Sequence, residues 1–260
     1  MTSPDWLQRC DARAQVPPST AREPLLLGAI ECGSIDADLA QRMHAAGLPL
    51  RRDLRGWLLL GAPDAALAEL AQWLHAQAIC SGWRDELLAV TDAGGQRHAL
   101  VERAAVRPLG VTTFAVHLVG MTSSGSVWVQ QRAFDKATDP GRWDTLMGGL
   151  ASARETTLQT LTRELWEEAG LELHALQDIA PLGRSTVRRP VSDGYMVEHI
   201  DIFEARVPDG VTPVNQDGEV ERFECLAVPA LIERLAADEF TLEATLIHAH
   251  WLRRHGLIGV

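Results

Sequence analysis

The chain has 260 residues, of which 46% are hydrophobic and 23% are charged. This composition is typical of a globular protein with one large domain or two modest ones. Its net charge of −11 at pH 7 argues against a nucleic-acid backbone as the main partner, since such binding depends on clustered Lys and Arg. A small anionic substrate stays compatible with this charge, because a metal-bearing pocket attracts phosphate locally.

Cysteine spacing and the N-terminal residues indicate the compartment. The four cysteines form no C-x-x-C pair, so we expect reduced thiols and neither a disulfide framework nor a zinc site; they are Cys10, Cys32, Cys80 and Cys225. Residues 1–16 contain acidic side chains and no apolar run, so no signal peptide is predicted, and no apolar stretch is long enough to cross a bilayer. We expect a cytoplasmic protein without nucleic-acid or membrane partners, with a homodimer left open.

The first part of the chain has the pattern of a small α+β unit. Its clearest helix covers 65–78, where apolar residues recur at helical spacing. We also predict helices within 1–16 and over 36–46, strands over 25–30 and 57–60, and a hairpin of strands 86–91 and 98–101. We place the boundary near Arg107, which predicts an N-terminal domain of residues 1–106 and a second domain of residues 107–260.

The pattern after residue 112 changes to strands. Strands are predicted over 114–119, 127–131, 179–186, 197–205 and 223–228, with closing helices over 230–237 and 242–255. A long loop over 133–141 and a short segment over 143–147 lead into a glycine pair, Gly148-Gly149.

A dense motif follows that glycine pair. Gly149 is followed by Glu155, then by Arg163-Glu164-Leu165, Glu167-Glu168 and Gly170-Leu171. Ser152 and Glu155 have the spacing of a capping box, which predicts a helix that begins near Ala153. Gly170 is a natural C-terminal stop, because it adopts the left-handed conformation without strain.

The predicted helix has an apolar stripe and an acidic face beside it. The stripe consists of Leu158, Leu161, Leu165 and Ala169. Glu164, Glu167 and Glu168 are three or four residues apart and share a face, whereas helical counting puts Glu155 on the opposite side, where capping alone explains it. Crowded carboxylates repel one another unless a cation lies among them, and Mg2+ prefers carboxylate oxygens and water. A solvated acidic face is the simpler alternative, with Arg163 paired to Glu167.

This motif resembles the Nudix box, the signature of hydrolases that act on a diphosphate linked to another group. The resemblance implies an α/β/α sandwich with a mixed sheet, here preceded by a small α+β domain, and a pyrophosphohydrolase that depends on Mg2+ or Mn2+. It also implies that Arg163 orients the carboxylates. The expected metal ligands are Glu164, Glu167 and Glu168, the carbonyl of Gly149, and Glu219 as a carboxylate from outside the box.

Shorter motifs resemble one Nudix subfamily, which has its own N-terminal domain and also occurs fused to fungal thiamine pyrophosphokinase. These motifs include residues 82–86 and 102–105 and the pairs that lie ahead of the box. The resemblance implies a substrate such as thiamine diphosphate or its oxidised oxo and oxy analogues. Its candidate substrate-binding residues are Trp83, Arg84, His117, Arg132 and Lys136. The chain departs from this pattern at Val119, where the subfamily is expected to have Asn.

Simpler interpretations and other functions stay open at this point. His117 inside an apolar strand fits a core histidine, Trp83 a boundary aromatic, and Glu219 a turn residue. The box specifies diphosphate chemistry and not the attached group, so an oxidised nucleotide or a nucleotide sugar is an alternative substrate. An isoprenyl diphosphate isomerase is disfavoured because no suitable cysteine lies near the box motifs. A non-catalytic sensor is disfavoured because all the carboxylates are present.

Overall fold

The structure is a computed structural model that describes residues 4–80 and 82–259. The part of the chain before residue 107 contains helices and two small sheets. Its elements in chain order are α1 (Asp5–Ala14), β1 (Arg22–Leu27), β2 (Ile30–Asp36), α2 (Ala37–Ala45), β3 (Leu50–Asp53), β4 (Gly56–Leu59), α3 (Pro63–Ala76), β5 (Leu87–Thr91) and β6 (Arg97–Glu102).

These elements form a four-stranded sheet, ordered β2-β1-β4-β3, and a separate hairpin of β5 and β6. The apolar face of α3 is buried as predicted, with Leu67, Leu70, Ala71 and Leu74 fully inaccessible. The prediction of one strand over 25–30 was wrong, because the chain turns at Gly28 with a φ of 60° and returns as β2. Strand β3 was also missed, since its basic residues Arg51 and Arg52 are solvent-exposed.

The second part of the chain supplies the larger sheet and three further helices. A 3-10 turn, Arg103–Ala105, precedes it. Its elements are β7 (Thr112–Met121), β8 (Val127–Arg132), β9 (Trp143–Asp144), β10 (Met147–Leu150), α4 (Thr157–Ala169), β11 (Gln177–Val191), β12 (Gly194–Arg206), β13 (Val220–Leu226), α5 (Val228–Ala236) and α6 (Leu242–Arg254).

The larger sheet is mixed and lies between two helical layers. Its main order is β11-β12-β7-β8-β13, and β12 runs parallel to β7 while the other pairs are antiparallel. Strand β10 pairs with the middle of β7 and β9 pairs with β8, so the two short strands fill the gap where β7 and β8 diverge. One core lies beneath α4 and another beneath α5 and α6. The predicted α/β/α sandwich preceded by an α+β region is confirmed.

Helix α1 packs on the second part of the chain, although it lies within residues 1–106. Trp6, Leu7, Cys10 and Ala14 belong to the same buried core as the apolar face of α6. The segment after α1 continues this contact, because the Val16 N–H donates to the Arg188 carbonyl at 2.8 Å. The domain division at residues 106 and 107 stays a prediction, and α1 crosses it.

The loop between β10 and α4 is tied to both parts of the chain. The Ala151 N–H donates to the Phe114 carbonyl of β7 at 2.8 Å, and the Ala153 N–H donates to the Leu87 carbonyl of β5 at 3.0 Å. Arg97 of β6 donates to the Ala153 carbonyl at 2.8 Å. These contacts place the β5–β6 hairpin directly beside the loop that leads into α4. Within the described ranges, no helix has the length and apolar character needed to span a membrane.

Candidate active site

Helix α4 begins later than the motif spacing predicted. Thr156 is its N-cap, and Thr156 and Gln159 form the capping box. The Gln159 N–H donates to the Thr156 hydroxyl, and the Thr156 N–H donates to the Gln159 side chain at 2.9 Å. The predicted start near Ala153 with a Ser152–Glu155 box was therefore wrong. The predicted end is confirmed, since Gly170 adopts the left-handed conformation with a φ of 61°.

The apolar face of α4 fastens the helix to the sheet. Leu161, Leu165 and Ala169 are fully buried, as the stripe predicted. Leu158 is 57% exposed, so its assignment to the stripe was wrong, and Thr160 takes the buried position in that turn. This anchoring presents the acidic residues of the last two turns along one edge of the helix.

Arg163 links the loop before α4 to the acidic face. Its guanidinium donates to both Glu155 oxygens, at 2.7 and 2.8 Å, and also to Glu164 at 2.7 Å and Glu167 at 2.9 Å. It also donates to the Leu150 carbonyl at 3.2 Å. The expectation that Glu155 points away from this face was wrong, because Glu155 lies in the loop rather than in the helix. The predicted role of Arg163 in orienting carboxylates agrees with these contacts.

Glu164 and Glu168 are the two carboxylates that the fold draws inward. Glu168 is 3% exposed and accepts hydrogen bonds from the Gly148 N–H and the Gln130 side chain, both at 2.9 Å. The Glu164 carboxylate lies against the backbone of Gly149, where any Cβ atom would overlap with it. Glycine at position 149 therefore allows the carboxylate to approach β10 closely.

Both inward carboxylates have strongly perturbed acidity. Burial, together with repulsion from Glu167 and Glu219, raises the pKa of Glu164 to about 7 despite the opposing effect of Arg163. Burial and repulsion from Glu164 raise the pKa of Glu168 to about 8, although the Gly148 N–H and Gln130 lower it. Two buried carboxylates that repel each other are stabilised when a cation lies between them.

These residues fit a hard divalent cation that is completed by other ligands. No group of three or more His, Cys, Asp or Glu side chains in the described part of the chain is arranged to hold a metal ion. Mg2+ in phosphate-processing sites uses one or two carboxylates, with waters and substrate oxygens for the rest. The buried Glu168 and the half-buried Glu164 together meet that requirement, whereas Glu167 has a side chain that is 41% exposed and contacts Arg163.

Lys136 and Glu219 meet at the edge of this acidic region. They form an ion pair, and the Ala133 N–H donates to the Glu219 carbonyl at 2.9 Å, which joins loop 133–141 to the segment before β13. Burial raises the pKa of Glu219, but the hydrogen bond from Lys136 and the charges of Lys136, Arg103 and Arg132 lower it below the ordinary value. Glu219 also acts electrostatically on Glu164, so the loop carboxylate lies within range of the buried pair.

The other predicted substrate-binding residues have local partners. His117 is buried and its Nδ1 contacts the Thr145 hydroxyl at 2.9 Å, on the side of β10 where Gly148 faces it. Arg132 donates to the carbonyls of Thr138 and Asp139 and so shapes loop 133–141. These contacts favour structural roles for His117 and Arg132.

Trp83 and Arg84 lie in the segment that leads into β5. The Trp83 ring contacts the His75 ring of α3 at 5.3 Å between centroids, and its Nε1 donates to Asp85 at 2.6 Å. Arg84 is exposed, and its backbone N–H donates to the buried Glu102 carboxylate at 3.0 Å. The structure does not bring either side chain into contact with the box carboxylates.

Gln130 and the Glu86–Arg103 pair were missed by sequence reasoning. Gln130 is 1% exposed and donates a hydrogen bond to Glu168. The sequence pattern that could have indicated this residue is a polar side chain at a buried position of a strand. Glu86 and Arg103 form an ion pair at 2.7 Å at the base of the β5–β6 hairpin. No local pattern indicated that this hairpin would lie against the box loop.

A separate cavity of about 720 Å3 lies between the β5–β6 hairpin and the larger sheet. Its walls include Phe114 of β7, the first residues of α4, and the paired side chains of Arg184 and Asp201. Glu155 lines this cavity, but Glu164, Glu167 and Glu168 do not. The cavity therefore adjoins the box loop, but the carboxylates of the last turns of α4 do not form its walls.

A family model identifies the protein family to which the chain belongs. A model of the NUDIX domain matches residues 111–246, which is more than half of the chain. The chain belongs to the Nudix family. Several of the relatives that it matches are named as Nudix hydrolases.

Two curated relatives extend the similarity beyond the Nudix domain. The uncharacterized protein YJR142W of Saccharomyces cerevisiae is 27% identical over 210 residues, which cover 73% of this chain and 61% of that protein. The chloroplastic Nudix hydrolase 24 of Arabidopsis thaliana is 28% identical over 211 residues, which cover 77% of this chain and 57% of that protein. The chain thus spans less than two thirds of the length of these relatives.

A solved structure supports the fold. DR0079 from Deinococcus radiodurans has a TM-score of 0.52 and 24% identity, and the match covers 64% of this chain and 99% of that one. At this level of identity the likeness concerns the fold alone. It agrees with the mixed sheet and helical layers described above.

Proposed function

We propose that this protein is a pyrophosphohydrolase that depends on Mg2+ or Mn2+ and cleaves the anhydride bond of a small diphosphate-linked molecule. The observation that carries the proposal is the pair Glu164 and Glu168. They are drawn inward against the glycines of β10, and the hydrogen-bond donors of Glu168 among the described residues are neutral groups. Such an arrangement costs folding free energy unless it holds a cation, and Nudix membership supports diphosphate chemistry for that cation.

The proposed metal ligands are the side chains of Glu164 and Glu168 and the carbonyl of Gly149, with Glu167 and Glu219 as further candidates. A divalent cation bound there supplies an activated water and neutralises charge on the phosphate oxygens. The Gly148 N–H and Gln130 orient Glu168, while Arg163 orients Glu164 and Glu167. Positioning and electrostatics then account for most of the acceleration, since phosphoryl transfer needs little covalent help from the protein.

Lys136 is the proposed phosphate contact from the loop that precedes the box. Its side chain is 18% exposed, pairs with Glu219, and acts electrostatically on Glu168. In this role Lys136 exchanges Glu219 for a substrate phosphate, and the freed Glu219 carboxylate is then available to a cation or to the attacking water. A loop lysine held by one exposed carboxylate can make that exchange at small cost, because exposed ion pairs are weak.

Thiamine diphosphate and its oxo and oxy analogues are the proposed substrates. The support is the resemblance of residues 82–86, 102–105 and 132–144 to the Nudix subfamily that has an N-terminal domain. We further propose that residues 1–106 recognise the non-phosphate group, with Trp83 and the adjacent Arg84 as contacts. An indole face suits a flat or cationic ring. Oxidised nucleotides and nucleotide sugars are the alternative substrates.

A substrate screen tests both levels of this proposal. Thiamine diphosphate, its oxo and oxy analogues, and a panel of nucleoside diphosphate derivatives are compared by kcat/KM with Mg2+, in the wild type and in Trp83→Ala. We expect a thiamine-type compound to be preferred and Trp83→Ala to weaken that preference. A nucleotide derivative that exceeds every thiamine-type compound by about tenfold, or 1.4 kcal/mol of transition-state stabilisation, contradicts the substrate proposal alone. Metal-dependent binding without turnover of any diphosphate contradicts the hydrolase proposal.

A further inference from the structure

Among the described residues, four basic side chains pair with the carboxylates of the acidic region or act on them electrostatically, and three of these side chains are held within that region. Arg163 is shared among three carboxylates, and Arg132 donates to two loop carbonyls. Lys136 pairs with Glu219. The fourth is Arg103, which comes from the part of the chain that precedes the Nudix domain match.

Arg103 has a single acceptor for its guanidinium within the described residues. Its Nη1 donates to Glu86 at 2.7 Å, and its side chain is 40% exposed. The remaining guanidinium donors point to no acceptor in the described chain. An arginine with free donors presents the planar fork that matches phosphate oxygens.

The backbone around Arg103 is held on both sides. Its N–H donates to the Glu86 carbonyl at 2.9 Å. The preceding residue, Glu102, is 4% exposed and accepts from the N–H groups of Arg84 and Ala104. Arg103 therefore projects from a fixed point at the end of β6.

That fixed point lies beside the box loop. The Ala153 N–H of that loop donates to the carbonyl of Leu87, the residue next to Glu86, at 3.0 Å. On the other side, the positive charge of Arg103 acts on Glu219, together with those of Lys136 and Arg132. The hairpin base thus lies beside the box loop, and from there the charge of Arg103 acts on Glu219.

We propose that Arg103 binds a phosphate group of the substrate and completes the diphosphate site from outside the Nudix domain, with Glu86 holding its guanidinium in the free protein. This inference rests on the proposed function, because it takes the site to bind a diphosphate. A diphosphate carries more negative charge than one divalent cation offsets, and the remainder falls to Arg103 and Lys136. When the phosphate binds, the Arg103 guanidinium either replaces its bond to Glu86 with one to the phosphate or bonds to both. No covalent bond forms or breaks.

The test uses Arg103→Gln, which keeps a donor for Glu86 but removes the positive charge. The affinity of the full chain for inorganic pyrophosphate with Mg2+ is measured by calorimetry, and KM and kcat are measured for the preferred diphosphate. We expect the Kd for pyrophosphate and the KM to rise about tenfold or more, with a smaller change in kcat. Arg103→Lys is expected to recover part of the affinity.

Two further variants separate phosphate binding from a structural role. Glu86→Gln breaks the same ion pair but leaves the arginine charge, so we expect pyrophosphate affinity equal to or higher than that of the wild type. Arg52→Ala removes another Arg–Glu pair of the N-terminal part, that with Glu23, and is expected to leave the Kd within twofold. Melting temperatures of all variants show whether any of them loses the fold.

The outcomes distinguish this inference from the proposed function. A Kd for Arg103→Gln within twofold of the wild type overturns it, as does equal weakening by Glu86→Gln, or a wild type that does not bind pyrophosphate. If Arg103 governs pyrophosphate binding but no diphosphate is hydrolysed, the inference stands and the hydrolase proposal fails. If diphosphates are hydrolysed and Arg103→Gln behaves as the wild type, only the inference fails.

Discussion

The loop before α4 and the last turns of α4 both contain sheltered carboxylates, but the two regions partner them differently. Glu155 in the loop accepts two N–H groups from Arg163 and the Thr160 hydroxyl, and these bonds with the Arg163 charge lower its pKa to about 2. Glu168 at the far end has neutral donors and a carboxylate neighbour, and burial raises its pKa to about 8.

This difference separates a carboxylate that stabilises the fold from one that costs stability. The Glu155 pairing fixes the loop against the helix through Arg163, so its charge is satisfied within the protein. The Glu168 charge is left for something outside the chain to satisfy. Buried acidic groups with raised pKa values are typical of functional sites, and this supports the proposal that the chemistry takes place at the last turns of α4.

The largest expected effect comes from Glu168→Gln, which keeps the size of the side chain and removes its charge. We expect kcat for a diphosphate substrate to fall on the order of 10²-fold or more, by analogy with the loss of other positioned electrostatic groups. The melting temperature of the metal-free protein is expected to stay equal or rise, because the variant buries no charge. Steady-state kinetics at saturating Mg2+ and thermal unfolding measure the two effects. Turnover by Glu168→Gln at the wild-type rate would show that Glu168 has no part in the reaction.

Glu155→Gln is expected to lower stability more than turnover, the opposite of Glu168→Gln. It removes a charge-assisted pairing that is only partly exposed, so we expect unfolding free energy to fall by about 1–2 kcal/mol, with a smaller loss of kcat through Arg163. Because the folded pKa of Glu155 is depressed, its stabilisation is present above pH 4.5 and lost as the pH falls towards 2.

Urea unfolding of the wild type and Glu155→Gln at pH 7 and pH 3 measures this difference. The two stabilities should converge at the lower pH. A variant that retains full stability at pH 7 but loses turnover by about 10²-fold would reverse the division between the two carboxylates.

The smallest effect concerns the start of α4, which fixes the loop relative to the acidic face. Thr156→Ala removes the N-cap bond and should lower unfolding free energy by about 1 kcal/mol. Ser152→Ala is the matched control four residues earlier, where the expected change is within about 0.5 kcal/mol. Thermal unfolding of both variants decides between the two capping boxes, and a larger loss for Ser152→Ala would place the helix start earlier.

The two capping boxes show how much of the start of α4 can be predicted from the sequence. Ser152-x-x-Glu155 and Thr156-x-x-Gln159 match the same local pattern, and only tertiary contacts choose between them. The N–H groups of Ala151 and Ala153 bond to the carbonyls of Phe114 and Leu87, and the chain makes only a turn at residues 153–154 where the first box would start a helix. The box carboxylates and the helix end were predictable because spacing within one helix is a local property.

Contacts between distant parts of the chain were not predictable. Gln130 reaches Glu168 only because β8 lies beside the gap that β10 fills, and the hairpin alone brings the segment of the Glu86–Arg103 pair beside the box loop. Leu158 fits the apolar stripe by spacing, but the face it occupies extends beyond the sheet and is exposed. Residue patterns specify elements and faces, whereas which face meets which neighbour depends on the whole topology.

The position of α1 has a consequence for how this protein can be divided experimentally. A fragment that begins at residue 107 would keep every box residue and the whole larger sheet, yet it would lack Trp6, Leu7 and Cys10 from the core beneath α6. The uncovered strip of α6 and β11 would present apolar surface to water, which favours self-association. Appending residues 4–16 to such a fragment through a flexible linker restores α1. Size-exclusion chromatography of both forms then shows how far this short helix prevents self-association by covering the apolar strip.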